Sequence, residues 1–181
     1  MICILPQEAM VLNGMCMADA LIETLGLSAH PEGGFFRRVY SAPFAYREDR
    51  ACGGSIYFLL RGGDVSHFHR IDCDELWYFH RGCGLRICCI DEAGQVRFSE
   101  LGPAPEQGQA PMVLLPAGTI FAAENLDKAG FTLLSCATLP QFSYGGFTLF
   151  NRRELLKRFP QHEALIRRLA MPDEDLRPKG E

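Results

Sequence analysis

Short hydrophobic runs alternate with turn residues through the middle of the chain. Each run is rich in Ile, Val, Leu, Phe, Tyr or Thr and is bounded by Gly, Pro, Asp or Asn. This spacing is typical of the strands of an all-β sandwich or barrel. The runs are FFRRVYSA (35–42), GGSIYFLLRGG (53–63), LRICCIDEAGQVRFSEL (85–101), PMVLLPAGTIFAAEN (111–125) and FTLLSCATLP (131–140). Within the third run, DEAGQ predicts a hairpin turn at Gly94.

The two ends of the pattern have helical periodicity instead. In ADALIETLG (18–26) the apolar residues lie on one helical face, with Asp19 as the predicted N-cap and Gly26 as the terminator. After Asn151, a predicted cap, the apolar residues again recur at helical spacing. Pro160 separates this helix from a second one that begins near Gln161.

These patterns predict a single domain over residues 18–170, with an N-terminal helix and two C-terminal helices around a β core. A chain of 181 residues is long enough for one domain with a substantial core. We expect residues 1–17 to be a poorly ordered N-terminal extension and residues 171–181 to be a loose tail.

Composition narrows the classes of partner and compartment. The net charge is −4, the pI is about 5.7, and no basic face is apparent, so nucleic acid is an unsuitable partner. No run approaches the roughly 18 apolar residues of a membrane span. The eight cysteines form no CxxC pair, which favours free thiols and a cytoplasmic protein. Cys88 and Cys89 are adjacent on a predicted strand and should point to opposite faces.

The segment GGDVSHFHRIDCDELWYFHRG (62–82) places histidines and carboxylates among strand-forming residues. Strand alternation predicts that His67 and His69 share one face, and that Glu75, Trp77 and Phe79 share another. If the two strands pair across RIDCD, then His67, His69 and Glu75 converge. Two imidazoles and a carboxylate are a ligand set for a divalent transition metal such as Fe(II), Mn or Zn. Hydrogen-bonded strand histidines are the alternative interpretation.

A second group of candidate residues lies in HPEGGFFRRVY (30–40). Two glycines permit a tight turn, after which alternation predicts one shared face for Phe36, Arg38 and Tyr40. An arginine that faces a barrel interior needs an anionic partner. That partner could be an anionic ligand, such as a sugar phosphate, a nucleotide or a carboxylate. It could instead be the carboxylate of Glu32 or Glu75, in an ion pair. The remaining alternative is that Arg38 is simply exposed at the barrel mouth.

Two of these segments resemble the signatures of the cupin superfamily. HFHRIDCDE with Gly82 is similar to the first signature, and PAGTIF with Asn125 is similar to the second. LGLSAHPEGGFFRRVYSA and LLKRFPQHEALIRRL resemble more specifically the cupin branch catalogued as a domain of unknown function, DUF985. The resemblance runs from about Ala18 to about Ala170. It implies a jelly roll barrel (the double-stranded β-helix of cupins), a ligand cavity at its mouth, a homodimer, and distant kinship with sugar-nucleotide epimerases and isomerases.

The sequence departs from the cupin pattern at one metal ligand. Phe121 stands where metal-binding cupins have their last histidine, and it cannot coordinate a metal. Epimerase-like relatives imply a metal-free alternative, in which His69 is a base oriented by Asp72, Asp74 or Glu75. A tyrosine would then supply the acid, with Tyr40, Tyr57 and Tyr144 as the candidates.

Three functions therefore remain as hypotheses. The first is a protein that binds a small polar ligand, with epimerase-like or isomerase-like chemistry and no required metal. The second is a non-catalytic ligand sensor, and the third is a metal-dependent oxygenase or isomerase that uses the histidine and glutamate trio. The predicted catalytic residues are His69, Glu75 and Tyr57. The predicted ligand-binding residues, several of them also expected to line the cavity, are His67, Arg38, Tyr40, Trp77 and Phe121.

Overall fold

A computed structural model describes residues 16–47 and 49–173 of the chain. Residues 1–15 of the predicted extension and 174–181 of the predicted tail lie outside these ranges. The helices are α1 (Met17–Leu25), α2 (Arg152–Arg158) and α3 (Glu163–Leu169), with short 3-10 helices at Pro105–Gln107, Tyr144–Gly146 and Pro160–His162. The strands are β1 (Ser28–Ala29), β2 (Phe35–Ser41), β3 (Ala45–Arg47), β4 (Arg50–Ala51), β5 (Gly54–Arg61), β6 (Val65–Arg70), β7 (Asp74–Gly82), β8 (Leu85–Ile90), β9 (Val96–Leu101), β10 (Met112–Leu115), β11 (Ile120–Asn125), β12 (Phe131–Leu139) and β13 (Thr148–Leu149).

Two antiparallel sheets form the body of the domain. One has the strand order β1-β2-β5-β12-β7-β10, and the other has the order β13-β6-β11-β8-β9. β3 and β4 form a separate hairpin. This all-β arrangement with flanking helices confirms the predicted jelly roll.

Strand alternation divides the hydrophobic residues between the interior of the barrel and its outer faces. On β5, Phe58 and Leu60 belong to the core between the sheets, whereas Leu59 packs outward against α1. On β8, Cys88 packs on the outer side and Cys89 packs against the interior core, as predicted. The described cysteines are free thiols.

The C-terminal helices cover the outer face of the five-stranded sheet. Leu155 of α2 and Ile166 of α3 pack in one buried cluster with residues of β6, β8 and β11. Asn151 caps α2 as predicted, because its side chain accepts a hydrogen bond from the Glu154 N–H at 2.8 Å. The second helix begins with a 3-10 turn, so α3 itself starts at Glu163.

Helix α1 differs from the sequence prediction at its first residue. The N-cap is Cys16, not Asp19, which lies in the first turn and accepts a hydrogen bond from the Cys16 thiol at 3.0 Å. An acidic residue is favourable there because it meets the positive end of the helix dipole. Gly26 ends the helix with a left-handed φ of 61°, as predicted. Among the described helices, none combines the length and apolar character needed to cross a membrane.

Candidate functional site

A narrow cavity lies within the barrel, between the two sheets. It encloses about 60 Å³. Its walls come from the β1–β2 loop, from four strands of the six-stranded sheet, from the β6–β7 region and from the segment after β12. The lining residues are His30, Glu32, Phe36, Arg38, Gly54, Ser55, Ile56, Phe58, His69, Ile71, Glu75, Cys136, Thr138, Gln141, Phe142 and Tyr144.

Two glycines in the β1–β2 loop allow His30 and Glu32 to enter the cavity. Gly33 has a φ of 108°, and a Cβ there would lie 2.1 Å from the carbonyl oxygen of Val65. Gly34 also has positive φ, and its Cβ would lie 2.9 Å from the carbonyl oxygen of Leu59. Only glycine permits such conformations this close to another backbone. The tandem glycines therefore let the loop lie directly on β5 and β6.

Glu32 is the centre of a buried polar cluster. Its Oε1 accepts a hydrogen bond from Ser66 Oγ at 2.8 Å. Its Oε2 lies 3.4 Å from His30 Nδ1 and 3.4 Å from His69 Nε2. The backbone carbonyl of Glu32 also accepts a hydrogen bond from the N–H of His67 at 2.9 Å. One carboxyl oxygen therefore lies close to two imidazoles that belong to different parts of the barrel.

A β-bulge in β6 determines which histidine reaches this cluster. Phe121 and Ala123 are two residues apart on β11, but their partners His69 and Ser66 are three residues apart on β6. The extra residue in β6 reverses the alternation of its side chains. Ser66 and His69 therefore both point toward Glu32, although they are separated by an odd number of residues.

The same bulge overturns the prediction that His67 and His69 share a face. His67 Nδ1 lies 3.1 Å from the carbonyl oxygen of Leu169 in α3. His69 instead lies in the cavity with 2% of its surface exposed, and its ring is 4.2 Å from that of Phe121. His67 is thus held on the side of the C-terminal helices and does not line the cavity.

Glu75 reaches the cavity by a different route from the predicted hairpin. β6 belongs to the five-stranded sheet and β7 to the six-stranded sheet, so the two strands do not pair. RIDCD (70–74) carries the chain from one sheet to the other, and His69 and Glu75 line one cavity from facing sheets. The expected alternation within β7 is confirmed, because Glu75 and Trp77 are both buried.

Burial makes the Glu75 carboxyl group a weaker acid than a glutamate in water. Desolvation raises its pKa from 4.5 to about 8, and the nearby charge of Glu32 acts in the same direction. The indole of Trp77 and the thiol of Cys136 have a smaller opposing effect. The indole N–H lies near the carboxyl group without hydrogen-bond geometry, and it has no other partner among the described residues. Glu75 is therefore mostly protonated at pH 7 and can donate a hydrogen bond.

His69 is perturbed in the opposite sense. Desolvation lowers its pKa from 6.5 to about 4, against a smaller effect of the His67 carbonyl. Its Nδ1 lies 2.7 Å from that carbonyl oxygen and therefore bears the hydrogen. The neutral ring therefore carries no hydrogen on Nε2, which lies 3.4 Å from Glu32 Oε2.

The other members of the cluster follow the same physics. Burial raises the pKa of Glu32, although the charge of His30 and the Ser66 hydrogen bond oppose the shift. Burial likewise lowers the pKa of His30. The cluster at pH 7 is therefore dominated by neutral imidazoles, with carboxyl groups that bind protons more tightly than usual.

The aspartates that the sequence offered as orienting groups for His69 lie elsewhere. Asp72 accepts two hydrogen bonds from the Arg50 guanidinium, at 2.7 and 2.9 Å. Asp74 Oδ1 accepts a hydrogen bond from the Ala117 N–H at 2.9 Å. Glu32, predicted only as a possible partner for Arg38, is the carboxyl group that lies next to His69 Nε2.

The three candidate tyrosines have different environments. Tyr57 packs with Leu59 on the outer face of the six-stranded sheet, away from the cavity, so its predicted place there is wrong. Tyr40 pairs with Ser55 beyond a bulge at Val39, which removes it from the face of Arg38, and it does not line the cavity. Tyr144 lies at the cavity wall with 59% of its surface exposed.

Trp77 and Phe121 lie in the core of the barrel, behind the cavity wall. Both are essentially inaccessible, with 1% and 0% of their surfaces exposed. Their rings contact each other edge to face at 5.8 Å between centroids. They support the lining residues from behind. The prediction that both side chains line the cavity is therefore wrong.

The donor set does not fit the metal that the cupin resemblance implies. His67 is turned toward α3, and Phe121 has no donor atom. Across residues 16–47 and 49–173, no group of three or more His, Cys, Asp or Glu side chains is arranged to hold a metal ion. The convergence of His67, His69 and Glu75 was therefore a wrong expectation.

His30 and Glu32 are the residues that sequence reasoning failed to assign to the site. HPEGG (30–34) contains a signal, since paired glycines just before a strand predict a close backbone approach. The destination of that approach depends on β5 and β6, which the local sequence does not reveal.

Comparison with known proteins agrees with this fold. The profile of a family described as "Cupin superfamily (DUF985)" matches residues 19–150. A crystal structure of a protein from Shewanella oneidensis is 42% identical, with a TM-score of 0.84 over 88% of this chain and 100% of that chain. A hypothetical protein from Leishmania major is 32% identical, with a TM-score of 0.78 over 84% of this chain and 98% of that chain.

A more distant likeness extends to an enzyme. The oxalate decarboxylase of Bacillus subtilis is 17% identical, with a TM-score of 0.52 over 80% of this chain and 37% of that chain. At this identity the likeness concerns the fold alone. No curated protein matches the chain.

Proposed function

Because this chain belongs to the cupin superfamily, in the family described as DUF985, we propose that its barrel cavity binds a small polar molecule and moves a proton within it. In this proposal His69 is the base and Glu75 is the acid, and no metal takes part. The reaction class is the isomerisation or epimerisation of a carbonyl compound.

The burial of His69 and Glu75 in one cavity, which shifts their pKa values in opposite directions, supports this proposal. At pH 7, His69 offers a free lone pair at Nε2, whereas Glu75 holds a proton. Environments that push the pKa values of paired groups apart are characteristic of acid and base assignments.

The proposed step begins with a carbonyl oxygen that accepts a hydrogen bond from the Glu75 carboxyl group. Nε2 of His69 removes a proton from the neighbouring carbon, and Glu75 transfers its proton to the oxygen, which gives an enol. The Glu32 carboxyl group, 3.4 Å from Nε2, stabilises the imidazolium that forms. The imidazolium of His69 then returns its proton to the adjacent carbon of the enol, and the Glu75 carboxylate takes a proton back from the oxygen of the other carbon, which forms the new carbonyl group and restores both side chains.

Cavity size limits the part of the ligand that can be enclosed. A volume of about 60 Å³ accommodates a group of only a few heavy atoms. A larger molecule, such as a sugar nucleotide, would have to leave most of its atoms outside the mouth. Small aldoses, ketoses and 2-oxo acids are therefore the appropriate first ligands.

Exchange of a carbon-bound hydrogen for deuterium tests the proposal. The full chain is incubated in D2O with a panel of small aldoses, ketoses and 2-oxo acids, and exchange is followed by NMR. We expect exchange next to the carbonyl of at least one compound, and we expect His69→Ala to slow it by about 100-fold, since a positioned base contributes 10²–10⁴-fold.

Tyr57→Phe is the matched control, because it alters a titratable strand residue outside the cavity and should leave the exchange rate unchanged. His69→Gln keeps more of the side-chain volume and guards against a folding defect in His69→Ala. Binding that depends on His69 without exchange would contradict the proton transfer, and it would identify the cavity as the site of a ligand sensor.

A further inference from the structure

We propose that the ligand of this cavity carries an anionic group, a carboxylate or a phosphate, which Arg38 binds at the mouth while the uncharged end of the ligand enters the cavity. The inference rests on the proposed function, because it names the ligand class of the same site. It adds a residue on a third strand, β2, to the two that the proton transfer uses.

Arg38 follows the lining residue Phe36 on the same face of β2. Phe36 contacts the His30 ring at 4.6 Å between centroids, which fixes the level of the buried cluster along the strand. The Cα atoms of residues i and i+2 on a strand are about 7 Å apart. Arg38 is therefore placed one step from the cluster, with its exposed side chain still part of the cavity wall.

The guanidinium of Arg38 is available to a ligand. Among the described residues it has no ion pair and no hydrogen bond. Arg50, by contrast, is neutralised by its bidentate pair with Asp72, which approaches Gly146 near the same mouth. The planar guanidinium matches the geometry of carboxylate and phosphate groups.

The rest of the cavity suits an uncharged polar end. Its carboxyl groups belong to Glu32 and Glu75, and burial raises the pKa of both. Phe36, Ile56 and Phe58 give the cavity apolar walls beside the cluster. A second charge on the enclosed end would lose its hydration without a partner of opposite charge.

Two matched pairs of compounds test the inference. Lactate is compared with lactamide, and dihydroxyacetone phosphate with dihydroxyacetone, by calorimetric titration of the full chain at pH 7. We expect an anionic compound to bind more tightly than its uncharged counterpart. Arg38→Gln should weaken binding of that anion by roughly 10- to 100-fold and leave the uncharged compound unaffected. The pair that responds distinguishes a carboxylate from a phosphate.

Arg37→Gln is the matched control. Arg37 is the exposed neighbour on the opposite face of β2, where its guanidinium lies 6.0 Å from the Tyr57 ring. Its loss should change anion binding by less than about twofold. Equal weakening by Arg37→Gln and Arg38→Gln would overturn the inference, since it would indicate only a general effect of positive charge.

The outcomes separate this inference from the proposed function. If uncharged compounds bind in a manner that depends on His69, while Arg38→Gln binds the anions normally, the anion site at Arg38 is wrong and the proposed function stands. If anions bind through Arg38 and His69→Ala has no effect on exchange, the anion site stands and the proton transfer is wrong.

Discussion

Replacing Glu75 with glutamine should remove a large part of the pH dependence of stability near neutrality. The free energy of unfolding of the wild type, relative to that of Glu75→Gln, should fall by about 2 kcal/mol between pH 6 and pH 8. Glutamine has nearly the same shape and cannot ionise. The wild type and Glu75→Gln therefore differ chiefly in the titration of the Glu75 carboxyl group.

The direction of the effect follows from the raised pKa. The folded chain holds the Glu75 proton up to about pH 8, whereas the unfolded chain releases it near pH 4.5. Between these values the folded state binds more protons, so its stability decreases as the pH rises. His69, with its lowered pKa, has the opposite effect between about pH 4 and pH 6.5, but it is present in both chains.

Urea unfolding at several pH values measures this difference directly. The m-value should stay constant, so that a change in the midpoint reports stability alone. A difference between wild type and Glu75→Gln that does not vary from pH 6 to pH 8 would contradict the raised pKa.

Replacing Gly33 with alanine should destabilise the protein by about 3 to 5 kcal/mol. The new Cβ would lie 2.1 Å from the Val65 carbonyl oxygen. The backbone φ of 108° is also one that residues with a side chain rarely adopt. Strain at such a φ costs about 1–3 kcal/mol, and relief of the overlap costs about as much again. The loop would have to leave β6, which would carry Glu32 away from Ser66 and His69.

Gly63→Ala is the matched control for this prediction. A Cβ at Gly63 meets nothing within 4 Å, and the position is exposed. Its stability should stay within about 0.5 kcal/mol of the wild type. Thermal unfolding compares the two variants, and a Gly33→Ala protein as stable as Gly63→Ala would mean that the loop does not rest on β6 as described.

Much of the fold could be predicted from local patterns. The hydrophobic runs mark the longer strands, because alternation of buried and exposed side chains is a property of each strand by itself. Gly26 ends α1 and Asn151 caps α2, because helix ends depend on residues within one turn. The family resemblance supplied the arrangement of the strands.

The face of the sheet on which each site residue lies could not be predicted, because it depends on strand pairing. Nothing within VSHFHR indicates that β11 will pair two residues with three of β6. The strand alone predicts that His67 and His69 share a face, and the bulge separates them. The sequence of RIDCD also predicts a hairpin turn, although this segment connects two sheets.

The polar cluster was hidden for a related reason. His30 and Glu32 precede His69 by more than thirty residues, so no spacing rule connects them. Their contact requires the loop of β1 and β2 to rest on β5 and β6, and it becomes evident only in three dimensions.

Carbon-detected NMR titration of the glutamate side chains is the most direct test of a protonated acid beside a neutral imidazole in the cavity. Glu75→Gln identifies the signal of Glu75, and the nitrogen shifts of His69 report its tautomer. The account predicts a Glu75 carboxyl group that titrates near pH 8 and a His69 ring that stays neutral, with hydrogen on Nδ1, down to about pH 5. A Glu75 signal that titrates near pH 4.5, or a His69 ring that is protonated above pH 6, would contradict it.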